Sequence, residues 1–503
     1  MTLPQLLPAD AHNAQLAGHV VPADWINPAP APRYNLVVLG GGPAGLVAAA
    51  GAAGLGAKVA LVERALLGGD CLNVGCVPSK ALLRCARAEK ETRDAAAFGL
   101  RCAAPTVDFP AVMERMRRLR ASLARHDAAR RFASLGIDVF RGAGRFTGRD
   151  TLEVAGRTLG FTRAIVATGA RPVAPPIPGL ADPGFLDNTT LFSLTALPRR
   201  LAVIGAGPIG CEMAQAFARF GAAVTLIEGA GRLLPREDEE ASRRLESAFR
   251  ADGVSMILDG KVTAVQRRGE SKFLRVERGG ALLEIEADEI LVGARRAANV
   301  EGIGLEEAGI AFDRNGVRED DRLKTSNGRV FAAGDCCSRF RFTHAADAMA
   351  RIALQNALFF GRKRASALVI PWCTYTDPEV AQVGIAAKEA QEGGGGETTH
   401  TVEMEAVDRA VLDGDTAGFC RVHVATKSGR ILGATAVAGH GGEMIGELAL
   451  AMTAGLGIGD VARTILPYPT QAEAWKKLGD AHARGRLTPS VAKWFRRWLA
   501  WRR

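Results

Sequence analysis

Tyr34-Asn-Leu-Val-Val-Leu39-Gly40-Gly-Gly-Pro-Ala-Gly45 is a short apolar run that closes on a glycine-rich turn. An alanine-rich stretch follows, then Lys58-Val-Ala-Leu-Val-Glu63. The order strand, glycine turn, helix, strand, acid is that of a nucleotide-binding βαβ unit. Its three glycines have separate tasks: Gly40 turns the chain, Gly42 lets the backbone approach a pyrophosphate, and Gly45 lets helix pack on strand. The helix N-terminus then favours the phosphate charge. Glu63 stands 18 residues after Gly45, where a carboxylate meets a pair of ribose hydroxyls.

The same unit recurs. Leu201-Ala-Val-Ile204 leads into Gly205-Ala-Gly207-Pro-Ile-Gly210, and Ala223-Val-Thr-Leu-Ile-Glu228 again ends in an acid 18 residues after the last glycine. One such turn is a weak signal, but two complete units in register are a strong one. A chain that holds two dinucleotides is most simply a flavin-plus-nicotinamide enzyme. Ile165-Val-Ala-Thr168-Gly169-Ala170 and Phe331-Ala-Ala-Gly-Asp335 read as strands returning to the first unit, so the second unit is expected to be inserted into a discontinuous first domain. From about Pro371 the pattern turns to mixed strand and helix, with Gly393–Gly396 as a loose loop.

The chemistry is carried by Gly68-Gly-Asp-Cys71-Leu-Asn-Val-Gly-Cys76-Val-Pro-Ser-Lys80, which follows the second strand of the first unit. On an ideal helix two cysteines five apart are separated by about 7.5 Å of rise, longer than the roughly 4.4–6.8 Å that a disulfide spans between Cα atoms. The turn between them must be distorted, and Asn73 and Gly75 tolerate distortion. Near a helix start and a lysine, a thiolate at Cys76 is favoured. The competing readings are two buried thiols or a zinc site, but no second Cys or His pair has ligand spacing.

The rest of the composition bounds the answer. The chain has 503 residues, enough for roughly three domains, and its nine scattered cysteines fit a reducing, cytoplasmic setting better than a secreted disulfide scaffold. No secretory signal is visible, and residues 1–33, with six prolines, read as a mobile leader. The apolar stretch Gly40–Ala60 is better explained by the nucleotide unit than by a membrane span. The formal charge is +10, and Arg484 to Arg503 carries seven basic and no acidic side chains, so a tail holds the excess. In that tail Trp494, Trp498 and Trp501 share a helix face. This face suits peripheral contact between residues 484–503 and an anionic membrane, or packing on the protein's own body or a partner. Nucleic acid is not expected as a partner. Cys336-Cys337 reads as two small apolar fillers, with a strained redox switch or a metal site as the alternatives.

The Cys71–Lys80 segment, both dinucleotide units, Ala167-Thr-Gly169, Gly334-Asp335 and Tyr375-Thr-Asp-Pro-Glu379 together resemble the class I pyridine nucleotide-disulfide oxidoreductases. That family includes dihydrolipoamide dehydrogenase, glutathione reductase and mercuric reductase. The resemblance implies an α/β protein with two Rossmann-like dinucleotide-binding domains, for FAD and NAD(P), and a C-terminal α+β dimerisation domain. It implies an FAD-binding domain at 34–185, an NAD(P)-binding domain at 186–300, the second part of the FAD-binding domain with a central segment at 301–368, and a dimerisation domain at 369–480 followed by the basic tail at 481–503. By resemblance Cys71 is the interchange thiol and Cys76 the thiol against the flavin. Lys80 lies near the flavin, paired with Glu212, and Asp335 holds the ribityl chain. Gly144, Thr168 and Gly169 line the FAD path. The homodimer shares its active site across the interface.

Within the family, disulfide-reducing members carry a His-x-x-x-x-Glu pair near the C-terminus. Here Glu473 is present but the His position is Tyr468, and a phenol with pKa near 10 is a poor base at neutral pH. Mercuric reductases also have Tyr there, and soft thiolates suit a soft metal ion. Against mercury, no Cys-x-x-Cys precedes the first unit and the last cysteine is Cys420. Gly293-Ala-Arg-Arg-Ala-Ala-Asn299 departs from the family, which has Gly at the Arg295 position and Pro at Ala298. The expectation is a mercuric-reductase-like NAD(P)H oxidoreductase whose acceptor is a metal ion such as Hg(II), a small disulfide or a quinone. Dihydrolipoamide dehydrogenase is the runner-up, and a non-catalytic flavin redox sensor or scaffold is the alternative from another class. Glu228 favours NADH because it repels a 2′-phosphate, while nearby Arg232 keeps NADPH as the alternative.

Overall fold

The computed structural model describes residues 6–387 and 396–503, so Gly393–Gly395 of the expected glycine loop lie outside the described residues. The chain divides into two compact units. One runs to Gly205 and includes Ala216–Ile227 and Gly260–Leu368; the other comprises Ala206–Gln215, Glu228–Asp259 and Val369–Arg503.

The first unit is built on a seven-stranded sheet. Its parallel centre sets Asp138–Arg141, Val59–Glu63, Tyr34–Leu39 and Arg157–Val166 side by side, and Val330–Ala332 returns to pair parallel with Arg157–Val166. The centre is covered on both faces, which is why Leu36-Val-Val-Leu39 and Val59-Ala-Leu-Val62 are continuous apolar runs rather than alternating ones. Helix Pro43–Gly54 packs on one face beside Thr343–Leu358, and Ala48, Ala49, Ala52, Ala350 and Ala353 bring the two helices close. Gly40 has φ +113, and a Cβ there would come within 2.2 Å of Ala167 O. A Cβ on Gly45 would lie 1.8 Å from Gly40 O, so only glycine allows this helix to start here. The same unit holds the parallel strands Ala223–Ile227, Arg200–Ile204 and Glu289–Val292, the sheet signature of the second repeat.

Residues 10–33 are not a mobile leader. Ala11–Val20 is a helix capped by Asp10, whose carboxylate accepts Asn13 N–H at 2.8 Å. Leu16 and Val20 are buried in the main core, where each contributes about 1.5–3 kcal/mol. Asn27 then pairs with both the N–H and the C=O of Arg141, at 2.7 and 2.9 Å, which blunts the edge of the sheet. The prolines confine this helix to ten residues without preventing it. The readable signal was Leu16 and Val20 at i, i+4.

The second unit carries a five-stranded antiparallel sheet in the order Trp372–Thr374, Glu379–Gly384, Ile431–Ala438, Phe419–Ala425, Glu397–Glu403. Helices Gly441–Thr453 and Glu473–Gly485 pack on it, pinned by buried Trp475, whose indole N–H donates to Met444 O at 3.0 Å. Helix Pro489–Trp501 follows and has no buried residue, so its tryptophans do not pack on the described residues of the body. Among the described residues no helix is long and apolar enough to cross a membrane; Gly40–Ala60 is turn, helix and strand.

Candidate functional site

The cysteine segment is two helices rather than one. Gly69–Val74 ends at Gly75, with φ −137 and ψ −117, and Cys76–Arg93 starts immediately after it. A Cβ on Gly75 would meet Asp70 O at 2.8 Å, so glycine permits the break that brings the two sulfurs together. Buried Asn73 secures the short helix by donating to Leu67 O at 3.0 Å and Gly69 O at 2.8 Å. Arg120 holds it from outside, donating to Asn73 O and to Asn13 Oδ1 of the N-terminal helix, each at 2.7 Å.

Cys76 is therefore the first residue of an 18-residue helix. Its Sγ lies 3.5 Å from the hydroxyl of Thr343, itself the first residue of Thr343–Leu358. Two helix N-termini converge on one sulfur, and both favour a negative charge there. The Cys71 thiol is pushed well up, first by its hydrogen bond with Cys76, then by burial and by the charge of Cys76. Lys80 stands half-buried one turn further along the Cys76 helix.

Around this pair lies the first glycine turn. Glu63 Oε2 accepts Gly41 N–H and Oε1 accepts Ala65 N–H, both at 2.6 Å. Burial pushes the Glu63 carboxyl up and these two donors pull against it. Helix Pro43–Gly54 starts on Gly42 with no side chain capping it, so its first N–H groups stay available to a phosphate. Gly69 packs on Gly42, and a Cβ there would come within 2.7 Å of Gly42 Cα. Thr168 and Gly169 are locked to Asn299: Thr168 Oγ1 donates to Asn299 O at 2.7 Å, and Asn299 N–H donates to Gly169 O at 2.9 Å. Gly144 is buried, and a Cβ on it would press on Leu39 and Val62. Burial raises the Asp335 carboxyl, opposed mainly by Arg296, whose guanidinium lies 4.0 Å away and also pairs with Asp70 beside Cys71. A cradle that a Cβ would fill, uncapped helix N–H groups and a carboxylate for a ribose fit FAD.

The second turn repeats the first. Gly205 has φ +101. Gly207 faces open space, and Gly210 lies in helix Pro208–Arg219. Glu228 Oε2 accepts Ala206 N–H at 2.7 Å and Oε1 accepts Ala230 N–H at 2.9 Å, the same two contacts that Glu63 makes. Arg232 donates to Pro235 O at 2.8 Å, within its own loop. Glu212 is buried and accepts Tyr375 N–H at 3.0 Å.

In the second unit, Tyr468 is exposed and its phenol donates to Asp408 Oδ2 at 2.8 Å; this bond and the carboxylate charge raise the phenol above its ordinary value. Glu473 opens helix Glu473–Gly485, with Lys477 Nζ 3.7 Å away. Cys336 is buried in the apolar core, and its thiol donates to Val166 O and Ala333 O at 3.4 Å. Sequence reading missed Thr343, Arg120, Asn13 and Arg296, and missed Asp408. Arg296 lies within the quoted Gly293–Asn299 stretch, but the others fall in no motif and only proximity singles them out.

Comparison with known proteins agrees with this geometry. Residues 34–350 match the model for pyridine nucleotide-disulphide oxidoreductases, and residues 370–478 match the dimerisation domain of the same family. The mercuric reductase of Bacillus cereus is 33% identical over 444 residues, covering 88% of this chain and 70% of that protein. The dihydrolipoyl dehydrogenase of Bacillus subtilis is 32% identical over 462 residues, covering 88% and 97%. The solved structure of the HOCl-induced flavoprotein disulfide reductase RclA from Escherichia coli superposes with a TM-score of 0.80 at 30% identity, covering 89% of this chain and 99% of that one. The α/β fold with its Rossmann-like sheet, the FAD and NAD(P)H cofactors and the dimerisation domain are those of these relatives, and the chain belongs to the class I pyridine nucleotide-disulfide oxidoreductases.

Proposed function

We propose that this flavoprotein passes electrons from NADH through the Cys71–Cys76 pair to a soft metal ion of the Hg(II) type, in a reducing compartment such as the cytoplasm. Bound FAD supplies the chemistry that accepts a hydride from the nicotinamide and forwards the electron pair. Cys76 takes that pair as the Cys71–Cys76 bond breaks, and its thiolate is held by two helix starts and by Thr343. Cys71, released as the bond breaks, takes up the proton that came with the hydride, because its hydrogen bond with Cys76 and its burial oppose ionisation. The dithiol then gives two electrons to the metal ion and the sulfur–sulfur bond re-forms. Over the cycle NADH and Hg(II) become NAD⁺, one proton and Hg(0).

Tyr468 carries the choice of acceptor. Exchange with an organic disulfide needs a proton moved on and off the interchange thiol near neutral pH, and a phenol raised by Asp408 is a poor group for that. A metal ion bound by thiolates needs no such base. In the shared site of the homodimer we assign Tyr468 and Glu473 to the partner's redox pair. Glu228 supports NADH, since its carboxylate, fixed by two N–H groups, repels a 2′-phosphate.

Anaerobic oxidation of NADH against Hg(II), lipoamide, glutathione disulfide and quinones tests the reading. Turnover is expected with thiol-buffered Hg(II), with the disulfides at least about 100-fold slower. Lipoamide turnover equal to or faster than Hg(II) turnover would overturn it in favour of a dihydrolipoyl dehydrogenase, to which the 32% identity with the Bacillus subtilis enzyme lends support. A flavin that NADH fails to reduce would instead indicate a redox sensor or scaffold.

A further inference from the structure

We infer that helix Pro489–Trp501 is a docking element for an anionic lipid surface. The helix is locally well defined: Thr488 caps it, accepting Val491 N–H at 3.3 Å, and Pro489 occupies the first turn. At 100° per residue, Trp494, Trp498, Trp501, Val491, Phe495 and Leu499 fall within one arc of about 160°. Lys493 and Arg496 fall on the opposite side, and Arg497 borders the ridge beside Trp494, Trp498 and Trp501. Among the described residues nothing covers the apolar arc: Trp494, Phe495 and Leu499 are 58%, 45% and 59% exposed, and no residue of the helix is buried. The indoles lie against one another, Trp494 on Trp498 with centroids 6.0 Å apart and Trp498 on Trp501 at 5.2 Å, forming one continuous aromatic ridge.

Charge decides the occupant. Residues 484–503 carry seven basic side chains and no acidic one. A second copy of this helix would set arginine against arginine along the borders of the ridge, and Arg502 already lies over the Trp498 ring at 5.9 Å. An anionic bilayer meets both faces at once. Indoles settle at the headgroup level, and the basic side chains reach phosphates around them. The helix has 13 residues, so at about 1.5 Å per residue it is too short to span a bilayer and lies in its plane. This inference is independent of the acceptor reading.

The test uses the full-length FAD-loaded protein, sedimented with vesicles of phosphatidylcholine alone or mixed 3:1 with phosphatidylglycerol. Binding to the mixed vesicles is expected, with weak binding to phosphatidylcholine and loss at high salt. The charge variant K493Q/R496Q/R497Q is expected to weaken binding by about 100-fold. The aromatic variant W494S/W498S/W501S should abolish it. Both variants should keep wild-type NADH oxidation in solution, which shows that they fold. Equal sedimentation of wild type and both variants, or none for wild type, would overturn the inference. So would light scattering showing a helix-dependent assembly larger than a dimer without lipid, which would identify a second copy as the occupant.

Discussion

Tyr468 Oη donates a 2.8 Å hydrogen bond to Asp408 Oδ2, and that carboxylate keeps the phenol protonated well above neutral pH. The residue we assign to the acid–base position is thus engaged as a hydrogen-bond donor to a neighbour. Replacing it by histidine should install a group that titrates near neutrality. Tyr468→His is expected to raise lipoamide turnover by about 10-fold or more while leaving the rate of flavin reduction by NADH unchanged. Tyr468→Phe should do neither. Stopped-flow reduction and steady-state lipoamide assays measure the two halves separately.

Thr343 stands 3.5 Å from Cys76 and also lowers the pKa of Cys71, so its hydroxyl serves both sulfurs. A donor to a thiolate favours the charged form, and removing it raises the pKa. The long-wavelength absorbance of a thiolate against the flavin, followed by pH titration of the half-reduced enzyme, should move its midpoint up by roughly one unit in Thr343→Val. Thr343→Ser should restore it, and Cys76→Ser should remove the band. An unmoved midpoint in Thr343→Val would exclude the hydroxyl from the redox pair.

Glu228 is held by two backbone donors in the same manner as Glu63. Glu228→Ala should raise KM for NADH by about 10-fold and narrow the preference for NADH over NADPH by a similar factor. Arg232→Ala should change NADH use little, because the guanidinium is engaged with Pro235 O. The ratio of kcat/KM for the two nucleotides reads both variants. A preference for NADPH in the wild type would refute the assignment.

Burial lifts the Glu319 carboxyl to about 7, with Asp320 adding to the shift. The folded protein therefore holds this proton more tightly than the unfolded chain does. Stability falls as pH rises from the unfolded value near 4.5 to about 7, then stays at the lower level. Because the side chain is only partly buried, solvent screening reduces the penalty to roughly 1–2 kcal/mol. Glu319→Gln should raise the apparent Tm at pH 8 and leave it unchanged at pH 4.5. Parallel melting curves of the FAD-loaded proteins would show the difference; the same gain at both pH values would assign it to something other than ionisation.

The two nucleotide units and the cysteine segment were legible because their information is local. A glycine that must turn a chain, an acid 18 residues on and two cysteines too far apart for one helix are all constraints within short stretches. Even the break at Gly75 follows from the length of a disulfide set against the rise of a helix. The N-terminal segment was misread because proline content outweighed two apolar residues one turn apart, and only a core to bury them in gives that spacing its meaning.

The order of residues alone determined that this protein carries two repeats of one dinucleotide unit, with a paired thiol beside the first. The tertiary structure alone decided what surrounds the sulfurs. Thr343 reaches Cys76 across 267 residues, Arg120 steadies Asn73 across 47, and Asp408 holds Tyr468 across 60. Such partners obey no spacing rule, because packing two faces of a sheet brings together side chains whose separation along the chain carries no signal of their contact.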